Sequence, residues 1–131
     1  MEGSSSAAEE IKPPKVAITS KNGIYPMGQG SFNWTIDGKK KGETVTSIAD
    51  TAVPGASIKD GKFTSISKTE VLTLLFTVEP ERYELYGWYI DGTKNKVTKL
   101  EELKGDTPVA IEVLAYYPQG YASYVLPVIF E

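Results

Sequence analysis

From residue 15 onward, apolar residues recur at every second position in short runs broken by turn-forming residues. Nowhere do they keep the three- and four-residue spacing that gives a long helix one apolar side. A pleated strand points successive side chains to opposite faces, so a period of two hides one face and wets the other. Such runs fall at residues 15–19, 31–36, 43–48, 62–67, 70–79, 84–90, 95–99, 108–116 and 122–130. The clearest is 70–79, where Leu72, Leu74, Phe76 and Val78 alternate with Val71, Thr73, Leu75 and Thr77, and Val71 and Leu75 are expected beneath a neighbouring loop. Only residues 100–104, Leu-Glu-Glu-Leu-Lys, read as a helical turn. Many short strands with frequent turns bury their apolar faces against one another, which predicts an all-β chain built as an antiparallel β-sandwich.

Three Asp-Gly pairs, Asp37-Gly38, Asp60-Gly61 and Asp91-Gly92, punctuate the strands. Both central positions of a type I′ hairpin turn need positive φ, which Gly adopts freely and Asp better than most residues, so each pair is expected to close a hairpin. That gives each Asp a structural role. No D-x-D-x-D-G arrangement is present, so no calcium loop is expected. The basic run Lys39-Lys40-Lys41 is expected at a solvated hairpin tip.

The chain also echoes itself. Phe32-Asn33-Trp34-Thr35-Ile36-Asp37-Gly38 matches Tyr86-Gly87-Trp88-Tyr89-Ile90-Asp91-Gly92 at an offset of 54 residues (88 − 34). Alternation puts Phe32, Trp34 and Ile36 on one face, and by analogy Tyr86, Trp88 and Ile90 on the equivalent face, so both tryptophans are expected in the core.

Residues 32–78 resemble the immunoglobulin-like domains (group 2-like) of bacterial surface adhesins, lipoproteins and phage structural proteins. The resembling features are Asn33-Trp34-Thr35-Ile36, then Ala56-Ser57-Ile58-Lys59-Asp60-Gly61-Lys62-Phe63-Thr64, then the 70–79 run. The resemblance implies a short strand at 56–58 turning through Asp60-Gly61 into a second, with a longer strand closing the sheet. It covers a third to a half of the folded part and ends after Val78. The second Trp-x-Ile-Asp-Gly unit is not part of it, so the sandwich is either enlarged or made of two similar half-units.

Composition narrows the function. The length of 131 residues suits one core, so residues 15–131 are expected to form one domain, and residues 1–14, MEGSSSAAEEIKPP, a flexible tether. A net charge of −3 argues against nucleic-acid binding. No apolar run is long enough for a transmembrane helix, and no signal-peptide pattern opens the sequence. With neither His nor Cys, the usual zinc ligands and the Ser–His and Cys–His nucleophile systems are missing, so no metal or cofactor is expected. An enzyme would need a carboxylate pair from Glu79, Glu81, Glu84, Asp91, Glu101, Glu102 and Asp106, and nothing in the linear order selects one.

The expectation is therefore a non-catalytic binding, adhesion or spacer module of a bacterial surface or secreted (lipo)protein. A phage or virion structural or decoration protein and a carbohydrate-binding module are the alternatives. The partner is a protein or a glycan. Tyr116, Tyr117, Tyr121 and Tyr124 crowd around Pro118-Gln119-Gly120, and Tyr25 lies in a Gly-rich loop. These five tyrosines are the candidate binding residues, because tyrosine offers a broad apolar ring with a polar tip.

Overall fold

A computed structural model describes residues 12–131 as two packed sheets. The strands are β1 Val16–Ser20, β2 Gly23–Pro26, β3 Gly28–Asp37, β4 Thr44–Ala49, β5 Thr64–Ile66, β6 Thr73–Phe76, β7 Arg82–Trp88, β8 Lys94–Val97, β9 Val109–Tyr117 and β10 Gly120–Phe130. The small sheet runs β2-β1-β6, and the large one β4-β3-β10-β9-β7-β8 with β5 added to β10. All pairings are antiparallel except β5 with β10, where Thr64, Ser65 and Ile66 run parallel to Val128, Ile129 and Phe130. β9 and β10 form the central hairpin, with hairpins β3–β4 and β7–β8 on its two sides, so the repeated Trp-x-Ile-Asp-Gly units belong to one enlarged sheet.

The core lies between the layers. Val109, Ile111, Val113 and Ala115 of β9 alternate inward with Ala122, Tyr124, Leu126 and Val128 of β10, and Val16, Ile18 and Leu72 cover them from the small-sheet side. Trp34 is 5% exposed and meets Tyr117 edge-on, with ring centroids 5.2 Å apart at 68°. Of the expected tether, residues 1–11 lie outside the described residues. Pro13 is buried, and the Pro14 carbonyl accepts a hydrogen bond from the Tyr124 hydroxyl at 2.5 Å, so these two prolines pack on the domain.

Several local expectations are corrected. The run at 70–79 forms a strand over only Thr73–Phe76. Its parity is as expected, but Val71 is 76% exposed and Leu75 47%, because no loop lies over them. Gly23–Pro26, read as loop, is β2. Residues 56–58 are not a strand: Pro54–Asp60 is a 3₁₀ helix, favoured by a proline in its first turn and ended by Gly61 at φ 70°, whose N–H donates to the Ile58 carbonyl at 3.1 Å. Leu100–Leu103 is the second 3₁₀ segment.

None of the Asp-Gly pairs closes a type I′ turn, since no non-glycine residue among those described has positive φ. Asp91 instead accepts from the Thr93 N–H at 2.9 Å, an Asx turn, while Gly92 at φ 89° takes the left-handed position. Asp37-Gly38 opens a longer loop bridged by Gly38 N–H to Glu43 carbonyl at 2.7 Å, and Lys39, Lys40 and Lys41 are exposed at its tip.

Candidate functional site

The second tryptophan is not in the core. In β7 the core-facing residues are Leu85 and Gly87, and Leu103 packs so closely over Gly87 that a Cβ there would lie 2.6 Å from its Cδ2. Tyr86 and Trp88 therefore face the opposite, outer side of the large sheet, and Ile90 beyond them is exposed. The repeat in sequence does not preserve orientation.

Strand register lays out this outer face in rows. Asn33, Tyr121, Tyr116 and Arg82 form one row across β3, β10, β9 and β7. Ser123, Leu114 and Glu84 form the next. Val125, Glu112, Tyr86 and Lys96 follow, then Pro127, Ala110, Trp88 and Lys94. A β-bulge between Ala122 and Tyr124 seats Ser123 against Gly30, where a Cβ would approach Ser123 Oγ to 2.9 Å, so only glycine fits beside it without a shift. The Pro54–Asp60 helix packs on the last row, with Gly55 close over Trp88.

Glu112 is only 8% exposed on this face, and both its oxygens are engaged: Trp88 Nε1–H donates to Oε1 at 2.8 Å and Ser123 Oγ–H to Oε2 at 2.7 Å. A carboxylate this enclosed needs such partners, and the pair of bonds fixes the indole orientation. Glu84 accepts from the Tyr86 hydroxyl at 2.7 Å and pairs with Lys96 at 3.3 Å and Arg82 at 3.4 Å. The Tyr86 hydrogen bond, then Lys96 and Arg82, hold the Glu84 carboxyl below its usual range against the opposing effect of burial. Reciprocally, the Glu84 carboxylate and then burial push the Tyr86 phenol up to about 12.

Cations lie over the rings. The Arg82 guanidinium sits 3.8 Å from the Tyr116 ring centroid, and Lys94 Nζ sits 4.3 Å from that of Tyr86 and 4.9 Å from that of Trp88. Exposed cation–π contacts and surface ion pairs are each worth at most about 1 kcal/mol, so these long side chains can move aside for a ligand at small cost. The tyrosines and Trp88, held by the sheet and by Glu84 and Glu112, do not need to move. The result is an aromatic strip held by two hydrogen-bonded carboxylates and edged by three cations.

The five tyrosines singled out from sequence do not form one surface. Alternation along the β9–β10 hairpin divides four of them. Tyr117 and Tyr124 are buried in the core, the Tyr117 hydroxyl donating to the Val78 carbonyl at 2.9 Å and burial pushing the Tyr124 phenol up. Tyr116 and Tyr121 are directly opposite each other on the outer face. Tyr25 lies on the small sheet, half-buried, donating to Glu70 at 2.8 Å. Sequence reasoning missed Trp88, Tyr86, Glu112 and Ser123 as residues of the outer face. The available signal was parity: Arg82 and Glu84 stand on the same side of β7 as Tyr86 and Trp88, and two charges mark that side as the wet one.

Most of the acidic residues weighed for catalysis have structural partners: Asp91 in its turn, Glu101 with Lys104, Glu102 with Thr98 and Lys99, and Asp106 with Lys68. Among the described residues no group of three or more acidic side chains is placed to hold a metal ion, and no helix is long and apolar enough to cross a membrane. No family model, no curated protein and no solved structure matches this chain, so the functional reading rests on its own geometry.

Proposed function

We propose that this chain is a non-catalytic, immunoglobulin-like binding module of a bacterial surface or secreted protein, and that it engages a glycan across the outer face of its large sheet. The observation that carries the reading is the strip of Tyr116, Tyr86 and Trp88, held by hydrogen bonds to Glu84 and Glu112 on the same face and edged by Arg82, Lys94 and Lys96. A sugar ring presents an apolar C–H face and a rim of hydroxyls. The first suits a fixed aromatic ring, and the second suits a carboxylate acceptor beside amine donors. The surface or secreted setting is supported by the sequence resemblance over residues 32–78.

A glycan array followed by titration of the best hit tests the proposal. Tyr86→Ala and Tyr116→Ala should each weaken binding by about thirtyfold, the ~2 kcal/mol of a hot-spot aromatic. Their melting temperatures should change little, because both rings stand outside the core. Binding that survives both substitutions, or an array with no hit, counts against a glycan site on this face.

A further inference from the structure

Charge is not balanced on the outer face of the large sheet. Arg82, Lys94 and Lys96 stand along one margin of the aromatic strip, on β7 and on the edge strand β8. Register puts both lysines on the strip's own side, since Lys96 lies opposite Tyr86 and Lys94 opposite Trp88. Two carboxylates accompany these three cations. Glu112 is 8% exposed, with one oxygen on the Trp88 indole and the other on the Ser123 hydroxyl, so it has little left to offer a ligand. Glu84 alone is within reach, and it answers Arg82 at 3.4 Å and Lys96 at 3.3 Å. The margin thus carries two cations more than its reachable carboxylate balances (3 − 1), in a chain whose net charge is −3.

Lys94 is the cation without a countercharge. Among the described residues no ion pair involves it, and its ammonium rests instead on two rings, 4.3 Å from the Tyr86 centroid and 4.9 Å from that of Trp88. It therefore occupies the ring faces against which a sugar would stack. A neutral sugar that reaches those rings displaces the ammonium into water and gives it nothing in return. A sugar bearing an anion lets the same ammonium swing onto the ligand, so that a cation–π contact is exchanged for a charge-assisted hydrogen bond.

The neighbouring cations show which anion this margin holds. Arg82 and Lys96 flank one oxygen of the Glu84 carboxylate, and the Tyr86 hydroxyl donates to the other at 2.7 Å. The chain's own carboxylate is held there by two cations beside an aromatic ring. Lys94 and Lys96 alternate along β8 with backbones about 7 Å apart, so a second carboxylate between them would meet the same chemistry.

We propose that the glycan taken by this face is acidic, a chain of uronic acid sugars whose ring faces lie on Tyr86 and Trp88 and whose carboxylate is bound by Lys94 and Lys96. The assignment rests on the glycan reading of the same face and narrows it. Lys94 becomes the residue that sets the preference for acidic over neutral sugars, because it covers the rings until an anion draws it away.

Calorimetric titration with oligosaccharides of galacturonate, alginate and hyaluronan, each beside its methyl ester, tests this, since the ester keeps the sugar chain and removes the charge. The wild-type chain should bind an acid at least about tenfold more tightly than its ester. Raising the salt from about 0.1 M to about 1 M, which shortens the screening length from ~10 Å to ~3 Å, should erode that preference. Lys94→Gln should weaken binding of the acid about tenfold, while binding of the ester does not fall, because the rings lose the ammonium that covers them. Lys40→Gln makes the same change in net charge at the exposed β3–β4 tip, at the opposite edge of the sheet from β8, and should leave both affinities unchanged. A lysine with a merely structural role would not move acid and ester differently. The proposal is overturned if acids and esters bind the wild-type chain alike, if Lys94→Gln does no more than Lys40→Gln, or if no acid in the panel binds. Equal binding of acid and ester that is lost in Tyr86→Ala removes only the charge preference and leaves the glycan reading standing. Failure of every probe together with an array without a hit removes both.

Discussion

Replacing Trp34 by alanine measures how much of the fold depends on the contact between β3 and the central hairpin. The indole is 5% exposed, faces the small sheet from β3, and meets Tyr117 edge-on at 5.2 Å. Truncating a buried aromatic removes its transfer energy and leaves a cavity, together about 3–5 kcal/mol, of which the ring pair accounts for about 1 kcal/mol. For a domain of this length each kcal/mol moves the melting temperature by roughly 3–5 °C, so Trp34→Ala should melt on the order of 10–20 °C below wild type. Trp88→Ala is the informative comparison. That indole is half-buried on the outer face, and its loss removes one of two donors to Glu112, which costs about 1–2 kcal/mol. Calorimetry on both variants, with chemical denaturation to check two-state behaviour, reads the difference directly. If Trp34→Ala melts within about 2 °C of wild type, or if the two variants lose equal stability, the assignment of one tryptophan to the core and one to the surface fails.

Gly120→Ala should be more damaging than its small change in volume suggests. The backbone there has φ 150°, and a Cβ would fall 1.9 Å from the Asn33 carbonyl oxygen, so the β3–β10 pairing must open by more than a typical overpacked site costing roughly 1–3 kcal/mol. Gly105→Ala, with open space around it, is the control, and equal melting temperatures for the two would contradict the register at the hairpin. Glu70 is held at about 2 by hydrogen bonds from Ser20 and Tyr25, with Ser67 N–H also donating. A carboxyl depressed in the folded state stabilises the protein above its unfolded pKa, near 4.5, and that contribution is lost as pH falls toward 2. Acid titration of stability should therefore fall across that window in wild type and with a shallower slope in Glu70→Gln, and parallel curves would show that these bonds do not matter to folding.

The strands themselves were legible because their signal is local. Alternation within β3, β4, β9 and β10 states where a strand runs and which side is apolar, and in β9 Val109, Ile111 and Val113 join the core cluster, while Ala110 and Glu112 on the other side are buried as well. The division of the hairpin tyrosines follows from the same period, since neighbours such as Tyr116 and Tyr117 must face opposite ways. Within β7 apolar bulk lies on both sides, Tyr83, Leu85 and Gly87 against Tyr86 and Trp88, and only the charges of Arg82 and Glu84 mark the second side as the wet one. What fills the space over Gly87 is non-local: Leu103, sixteen residues later, packs against it from a separate 3₁₀ segment. Turn type was undecided for a similar reason: Asp-Gly fits several turns, and the distance between the strand ends selects among them.

The sequence by itself determined an all-β chain, the positions of most strands though not of β2, and the lack of histidine and cysteine chemistry, because these follow from side-chain period and composition. The outer-face site and the pairing of β6 were decided only by tertiary structure. Glu112 finds Trp88 and Ser123 through a register joining β7, β9 and β10, and among the described residues β6 has β1 as its strand neighbour. Both are non-local pairings, and a period of two records the face of a residue but not what stands across from it.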